Sequence, residues 1–314
     1  MKQFYFVALM GSLLFASADP AAAMHQKRIP AKAAVIMDAS GTVLYSKYPD
    51  ARLAPASTVK LITAMVVIDR LDPEAKVVIS RSAGKVRSIQ PRLRAEEEYT
   101  VAALLHLALM RSVNSAAVAL AEATSGSEKD FVTLMNRKAK EIGVRNTLFA
   151  NASGLPKGVQ YTTASDLALI MRTALGYPLI KEILAKKGCL IKTTQGRELY
   201  LETSNDLLWR SDSMIGGKTG YTGNARHCFV CSMNTEKGPL FFAVLGARSR
   251  SSLWKSTLLL AEIGADPNLV DLRERPRLAR SSDQLLVTKN RPALIPEASP
   301  GLLSETLRKE AGQP

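Results

Sequence analysis

The chain reads as a two-lobed α/β protein, an antiparallel sheet flanked by helices with an all-helical segment inserted between its strands. Three observations lead there. Short β-prone runs lie at the two ends, over 33–47 and 214–246. The middle third, from Val101 to Leu175, follows a helical period instead. With 314 residues, 46% of them hydrophobic, the chain can bury a large core.

The elements follow in order. Ala33–Asp38 and Thr42–Lys47 are split by Ala39-Ser40-Gly41, the pattern of a hairpin. Tyr48–Ala54 is a loop. Leu61–Ile68, apolar except for Thr63, is a buried helix that ends near Arg70-Leu71-Asp72-Pro73. Lys76–Ser80 suggests a strand, and 81–94, basic with Gly84 and Pro91, a surface loop. Thr100 suits an N-cap for Val101–Met110, and Arg111-Ser112-Val113-Asn114 interrupts the helical run. Ser115 then caps Ala116–Ala123, closed by Ser125-Gly126. Lys129–Ile142 places Phe131, Leu134, Met135 and Ala139 on one face and stops at Gly143. Asn151–Tyr161 is loop-like, and Thr163 or Ser165 caps Asp166–Leu175. The helical lobe is thus expected over about 81–185. Leu190–Thr203 is β-prone, and Asn205–Trp209 reads as a short helical turn. Met214–Tyr221, Arg226–Met233 and Leu240–Gly246 form a meander, and Leu253–Ile263 is a closing helix.

The ends differ from this body. Residues 1–23 read as a signal peptide: Lys2, an apolar run Phe4–Phe15, then cleavage after Ala18 or Ala23. The run is too short for a confident membrane span. The chain is therefore expected to be exported, to the periplasm or the extracellular envelope. Its net charge of +14 favours polyanions. Export argues against nucleic acid and for anionic envelope polymers. A catalytic domain is expected over 24–265. Residues 266–314 are basic and Pro-rich, read as a largely disordered tail. Leu302, Leu303 and Leu307 give too small an apolar face for a firm membrane anchor.

Cysteine and histidine usage narrows the chemistry. Cys228 and Cys231 have metal-motif spacing, but in a strand they point to opposite faces, so two buried small side chains are expected. A bridge from Cys189 to either is left open. Only His25, His106 and His227 are present, and His106 sits in an apolar helix as a packed neutral imidazole. A Ser-His-Asp triad is a poor fit.

Ser57 and Lys60, three apart at the head of the apolar helix, share a face. A desolvated lysine can take a serine proton and so make a nucleophile without histidine. Taken alone, the pair also reads as a cap and a snorkelling lysine. Ser57-x-x-Lys60 is followed by Ser112-x-Asn114 in the helix break and by Lys218-Thr219-Gly220 after Gly216-Gly217 on a β-prone run. Such a set occurs in penicillin-binding proteins and class A β-lactamases.

With these motifs, the chain resembles the serine D-alanyl-D-alanine carboxypeptidases, the low-molecular-mass penicillin-binding proteins. The likeness extends to Tyr99-Thr100-Val101, Phe131–Asn136, Gly143–Phe149, Gly154-Leu155-Pro156, Tyr161–Ala164 with Asp166-Leu167-Ala168, and Lys218–Thr222, and covers roughly 30–265. The resemblance implies the β-lactamase/transpeptidase-like fold. It implies Ser57 as nucleophile, Lys60 as general base and Ser112 as proton relay, acting with Lys60. Asn114, Lys218, Thr219, Gly220 and Tyr221 would bind substrate, the backbone N–H groups of Ser57 and Tyr221 forming the oxyanion site. It implies no metal and no cofactor, peptidoglycan stem peptides as substrate, and β-lactams as covalent inhibitors. The expected reaction is removal of a terminal D-alanine through an acyl-enzyme. The alternatives are D,D-endopeptidase cleavage of cross-links, a catalytically slow peptidoglycan-binding protein, and a β-lactamase. The last lacks a Glu-x-x-Leu-Asn type segment for deacylation.

Three departures stand out. Val113 replaces a frequent aspartate, and Arg226 replaces a small residue after the third motif. An arginine common near the last helix is matched by Leu253, leaving Arg226, Arg248 and Arg250 as tentative ligands of the substrate carboxylate.

Overall fold

A computed structural model describes residues 29–264. The expected signal peptide, the 266–314 tail and its leucine turn lie outside the described residues. The first two strands are β1 (Ala33–Met37) and β2 (Val43–Lys47). A 3-10 turn, Ala56–Val59, leads into α1 (Lys60–Ile68). Then come β3 (Lys76–Val78), α2 (Arg81–Lys85), β4 (Glu98–Thr100), α3 (Val101–Met110), α4 (Asn114–Ser125) and α5 (Glu128–Glu141). The chain continues through α6 (Ala164–Ala174), α7 (Pro178–Ala185), β5 (Gly188–Lys192) and β6 (Glu198–Glu202). It closes with a 3-10 turn at Asp206–Trp209, β7 (Met214–Thr222), β8 (Arg226–Thr235), β9 (Gly238–Ala247) and α8 (Arg250–Ile263).

The two ends of the chain do build one sheet. Its strand order is β2-β1-β9-β8-β7, antiparallel throughout, with β1 joined to β9. Alternation along these strands sends side chains to two cores. Val35, Ala243, Leu245 and Val230 face the helices, in one continuous cluster with α1, α3, α4 and α6. Ile36, Phe242, Val244 and Phe229 face the other way, toward Leu253, Trp254 and Leu260 of α8. Cys228 and Cys231 fall on opposite faces as the strand period requires, and all three cysteines are free thiols. β7 is an edge strand, and the turn carrying Ser57 packs against it.

α1 is buried along nearly its whole length and touches α3, α4, α5 and α6. Within the stretch read as the helical lobe, α6 lies against β1, β8 and β9. Thr163 is its cap, accepting the Asp166 N–H at 3.1 Å. Among the described residues no helix is long and apolar enough to cross a membrane.

Several local expectations need correction. The stretch 81–94 is not all loop, because Ser80 accepts the Ala83 N–H and starts the short helix α2. α4 begins at Asn114, so Ser115 is not its cap; the Ser115 hydroxyl is buried inside the first turn without a partner. The β-prone run 190–203 is a separate hairpin, β5–β6, bent at 193–197. Helix α7 was not anticipated, although Pro178 at its first position is a usual helix start.

Phe229 is fully buried and meets Trp254 edge-on, ring centroids 5.0 Å apart. Truncation to alanine removes the contact that pins α8 to the sheet. Phe229→Ala is expected to lower unfolding free energy by about 3–5 kcal/mol, read from the shift in urea midpoint at constant slope.

Candidate active site

The site is assembled from the 3-10 turn before α1, the break between α3 and α4, a tight turn at Asn151–Gly154 and the edge strand β7. Ser57 is in the turn, not at a helix cap: neither Pro55 nor Val59 makes a side-chain capping bond. Ala56, just before it, has φ +49°, which a non-glycine residue adopts only when its surroundings hold it there. Lys60 is the first residue of α1 and is completely buried. The snorkelling alternative therefore does not hold.

The Lys60 amine touches three oxygens. Its Nζ is 3.0 Å from Ser57 Oγ, 2.8 Å from Asn114 Oδ1 and 2.6 Å from the Ser153 carbonyl. No carboxylate forms an ion pair with it among the described residues. Burial drives its pKa well below the ordinary lysine value, and the nearby Lys218 charge adds to the effect. A neutral amine has two N–H donors and one lone pair. Asn114 and Ser153 can take the two donors, which leaves the lone pair for the Ser57 hydroxyl. That is the geometry of a general base.

The Ser153 carbonyl was not singled out from sequence. It is presented by an Asx-type turn: Asn151 Oδ1 accepts from Ser153 N, Ser153 Oγ and Gly154 N at 3.2, 3.1 and 2.7 Å. Gly154 has φ +80°, and a Cβ there would be 1.9 Å from the Ala56 carbonyl oxygen. The bare backbone lets this turn press against the residue before Ser57. The available signal was Asn151-x-x-Gly154, an Asx turn closed on a glycine.

Ser112 and Asn114 flank Val113 in the helix break. Ser112 has φ +62°, and its hydroxyl is buried without a hydrogen-bond partner among the described residues. It makes no hydrogen bond to Lys60, contrary to the pairing implied by the resemblance. Strain together with an orphaned hydroxyl is an arrangement suited to a group awaiting substrate. Asn114 Nδ2 donates to the Arg87 carbonyl at 2.9 Å, and its backbone N–H to Ser88 Oγ at 2.8 Å. The 86–94 segment thus borders the cleft, another feature that sequence reading missed.

On β7, Lys218 is completely buried, and its Nζ donates to the Thr219 carbonyl at 2.8 Å. Burial brings its pKa down to about 7. Gly220 packs onto the Ser57 turn, where an added Cβ would be 3.0 Å from Ser57 N. Tyr221 is exposed and stacks on His227 at 4.5 Å. Thr219 Oγ1 lies 2.7 Å from Ser204 Oγ. The Ser204 carbonyl accepts from Arg250 at 3.0 Å, and Asp206 holds the same guanidinium at 3.2 Å.

The three tentative arginines therefore part company. Arg250 stands behind Thr219, whereas Arg226 and Arg248 line a separate cavity at the end of the sheet. His106, with Nδ1 on the Ala102 carbonyl and its pKa lowered by burial, plays no part in the cleft.

A family model described as D-alanyl-D-alanine carboxypeptidase, peptidase S11, matches residues 20–249. The D-alanyl-D-alanine carboxypeptidase DacF of Bacillus subtilis is 34% identical over 259 residues, 79% of this chain and 67% of that protein. A D-alanyl-D-alanine endopeptidase of Escherichia coli is also 34% identical, over 71% of this chain and 73% of its own length. The crystal structure of a Mycobacterium tuberculosis D-alanyl-D-alanine carboxypeptidase superposes with a TM-score of 0.71 at 30% identity, covering 77% of this chain and 94% of that one.

Gly154→Ala is expected to leave a folded protein whose Ser57 turn is displaced. Covalent labelling by a fluorescent penicillin should slow at least tenfold, an effect of the order of a 1 Å misplacement in an active site. Far-UV circular dichroism should be retained.

Proposed function

Since the chain belongs to the D-alanyl-D-alanine carboxypeptidase family of serine DD-peptidases, we propose that Ser57 is its nucleophile and Lys60 its general base. One observation carries the assignment: a buried lysine amine, uncompensated by any carboxylate among the described residues, 3.0 Å from a serine hydroxyl.

Ser57 Oγ attacks the carbonyl between two D-alanines and gives its proton to the Lys60 lone pair. The oxyanion faces the backbone N–H groups of Ser57 and Tyr221, which the close approach of Gly220 brings together. Lys60 then returns that proton through Ser112, whose hydroxyl is unengaged, to the leaving amine as the C–N bond breaks, and is neutral again. Asn114 turns its amide from the Arg87 carbonyl to the substrate backbone. The terminal carboxylate meets Lys218 and Thr219, with Arg250 reinforcing the positive field from behind Ser204. D-alanine departs, and water hydrolyses the acyl ester with Lys60 again as base. None of these steps requires a metal or cofactor.

The physiological substrate in this reading is the stem pentapeptide, trimmed outside the cytoplasm after export of the chain. The basic surface draws the enzyme to anionic wall polymers. Cleavage of D-alanyl cross-links is the second reading, supported by the similarity to the Escherichia coli endopeptidase. Digestion of isolated muropeptides separates the two: free D-alanine from pentapeptide monomers is expected, and loss of dimers without free D-alanine would favour the second.

Fluorescent penicillin should label the wild-type protein and leave Ser57→Ala unlabelled. Label retained in Ser57→Ala would remove Ser57 from the mechanism.

The acylation rate should depend on pH with a definite sign. At low pH Lys60 is protonated and cannot accept the serine proton, so the rate rises with pH through the lowered Lys60 pKa. Lys218→Gln deletes a charge that depresses this pKa, and the rise should move to higher pH, read from stopped-flow acylation profiles. An unmoved profile would sink the coupling.

A further inference from the structure

Outside the cleft, the end of the sheet nearest the last residues of β7 holds a cavity of about 620 Å³. It is lined by Lys32, Lys47, Arg226, Arg248 and Ser252 together with the 29–31 backbone. Four of these side chains are cationic. Lys47 is committed to the wall, its amine donating to the carbonyls of Ile29 and Ala31 at 2.8 and 2.9 Å. Lys32, Arg226 and Arg248 are exposed, and none takes part in an ion pair among the described residues. Ser252 belongs to the first turn of α8, a 14-residue helix whose N-terminus adds partial positive charge. Three cations around one concavity, with no ion-pair partner and no acidic lining residue among the described residues, make a binding site for anions.

The sheet register relates this cavity to the substrate. The inference rests on the mechanism above, in which the terminal carboxylate occupies Lys218 and Thr219 and the scissile carbonyl faces Tyr221. The leaving residue thus lies toward the start of β7, and the acyl portion of the peptide continues toward Thr222. Arg226 is the partner of Thr222 on β8. Arg248 follows Ala247, the partner of His227, on β9. Lys32, bonded through its N–H to the Leu245 carbonyl at 3.0 Å, precedes β1. With about 3.3 Å per residue along a strand and about 4.8 Å between strands, the three cations sit roughly 5–15 Å from Tyr221. A peptide that turns across the end of the sheet beyond Thr222 reaches about 3–10 Å in one to three extended residues, far enough for Arg226 and Arg248, and the Lys32 backbone in about four.

We infer that the cavity of Lys32, Arg226 and Arg248 is a subsite for carboxylates carried on the acyl side of the substrate peptide. Stem peptides bear such groups one to two residues before the D-alanines, as the free α-carboxylate of a γ-linked D-glutamate or the second carboxylate of a dicarboxylic diamino acid. Arg226 is then a specificity residue of the donor side, distinct from the group that holds the departing D-alanine. Its backbone is left-handed, φ +60°, at the first residue of β8, where the chain turns back from β7.

The test uses the full chain and two pentapeptides that differ only in whether the upstream carboxylates are free or amidated. Wild type is expected to favour the free acid in kcat/KM by about tenfold or more, the size of one or two charge-assisted contacts. Added salt should shrink that ratio. In Arg226→Gln/Arg248→Gln the ratio should fall toward one through a rise in KM for the free acid, while penicillin acylation continues and reports an intact fold. A wild-type ratio near one, or a ratio unchanged in the double variant, overturns the subsite while leaving the nucleophile in place. Loss of wall binding in the double variant with the peptide ratio intact assigns the cavity to a polymeric wall anion and overturns the peptide assignment. Absence of penicillin label in wild type overturns the nucleophile reading, and the subsite with it.

Discussion

Two lysine amines, each feeling the other's charge, are buried with no carboxylate paired to either among the described residues, and the rest of the site is arranged around that constraint. An isolated ammonium is strongly disfavoured in a protein interior, so burial shifts the equilibrium toward the neutral amine. Lys60 and Lys218 are both fully covered, and each depends on carbonyl or amide oxygens rather than on an acid. The Asn151 turn presents the Ser153 carbonyl, the helix break presents Asn114, and β7 carries Lys218 on the strand that packs against the Ser57 turn. A carboxylate beside Lys60 would hold the amine charged and leave it no lone pair to offer the Ser57 hydroxyl.

The same site concentrates backbone strain. Ala56 and Ser112 both occupy the left-handed region, one just before Ser57 and one at the orphaned hydroxyl. Such conformations are costly and persist only where surrounding packing fixes them. The continuous core joining α1, α3, α4, α6 and the inner sheet face supplies that packing, since it encloses Ala56, Val59 and Val113. Rigidity here has a chemical use: the groups are held near reacting geometry before substrate arrives.

Much of the architecture was legible from residue pattern. The short β-prone runs in 33–47 and 226–246 marked sheet strands, and Thr100 and Thr163 marked helix starts that the structure reproduces with side-chain caps. The failures have physical reasons. Ser115 looked like a cap because sequence cannot show that Asn114 already has helical geometry and spends its side chain on Lys60. Helix α7 was missed because eight residues starting at a proline give a weak periodic signal. The arginines could not be sorted by spacing, since Arg248 and Arg250 are two apart in sequence, yet Arg248 lines the cavity and Arg250 binds Ser204 and Asp206.

By itself the sequence determined the chemical inventory: a serine three residues before a lysine at a buried helix, a serine and asparagine in a helix break, and a lysine-threonine-glycine strand. Those follow from residue identity and short-range period, which local stereochemistry fixes. Only the tertiary structure decided the state of Lys60, because its pKa depends on burial and on Lys218, 158 residues away by numbering. Tertiary structure alone also brought in the Ser153 carbonyl, left the Ser112 hydroxyl without a partner, and gathered Lys32, Arg226 and Arg248 at one end of the sheet. Each is a contact between segments remote in the chain, set by strand register and packing rather than by local sequence.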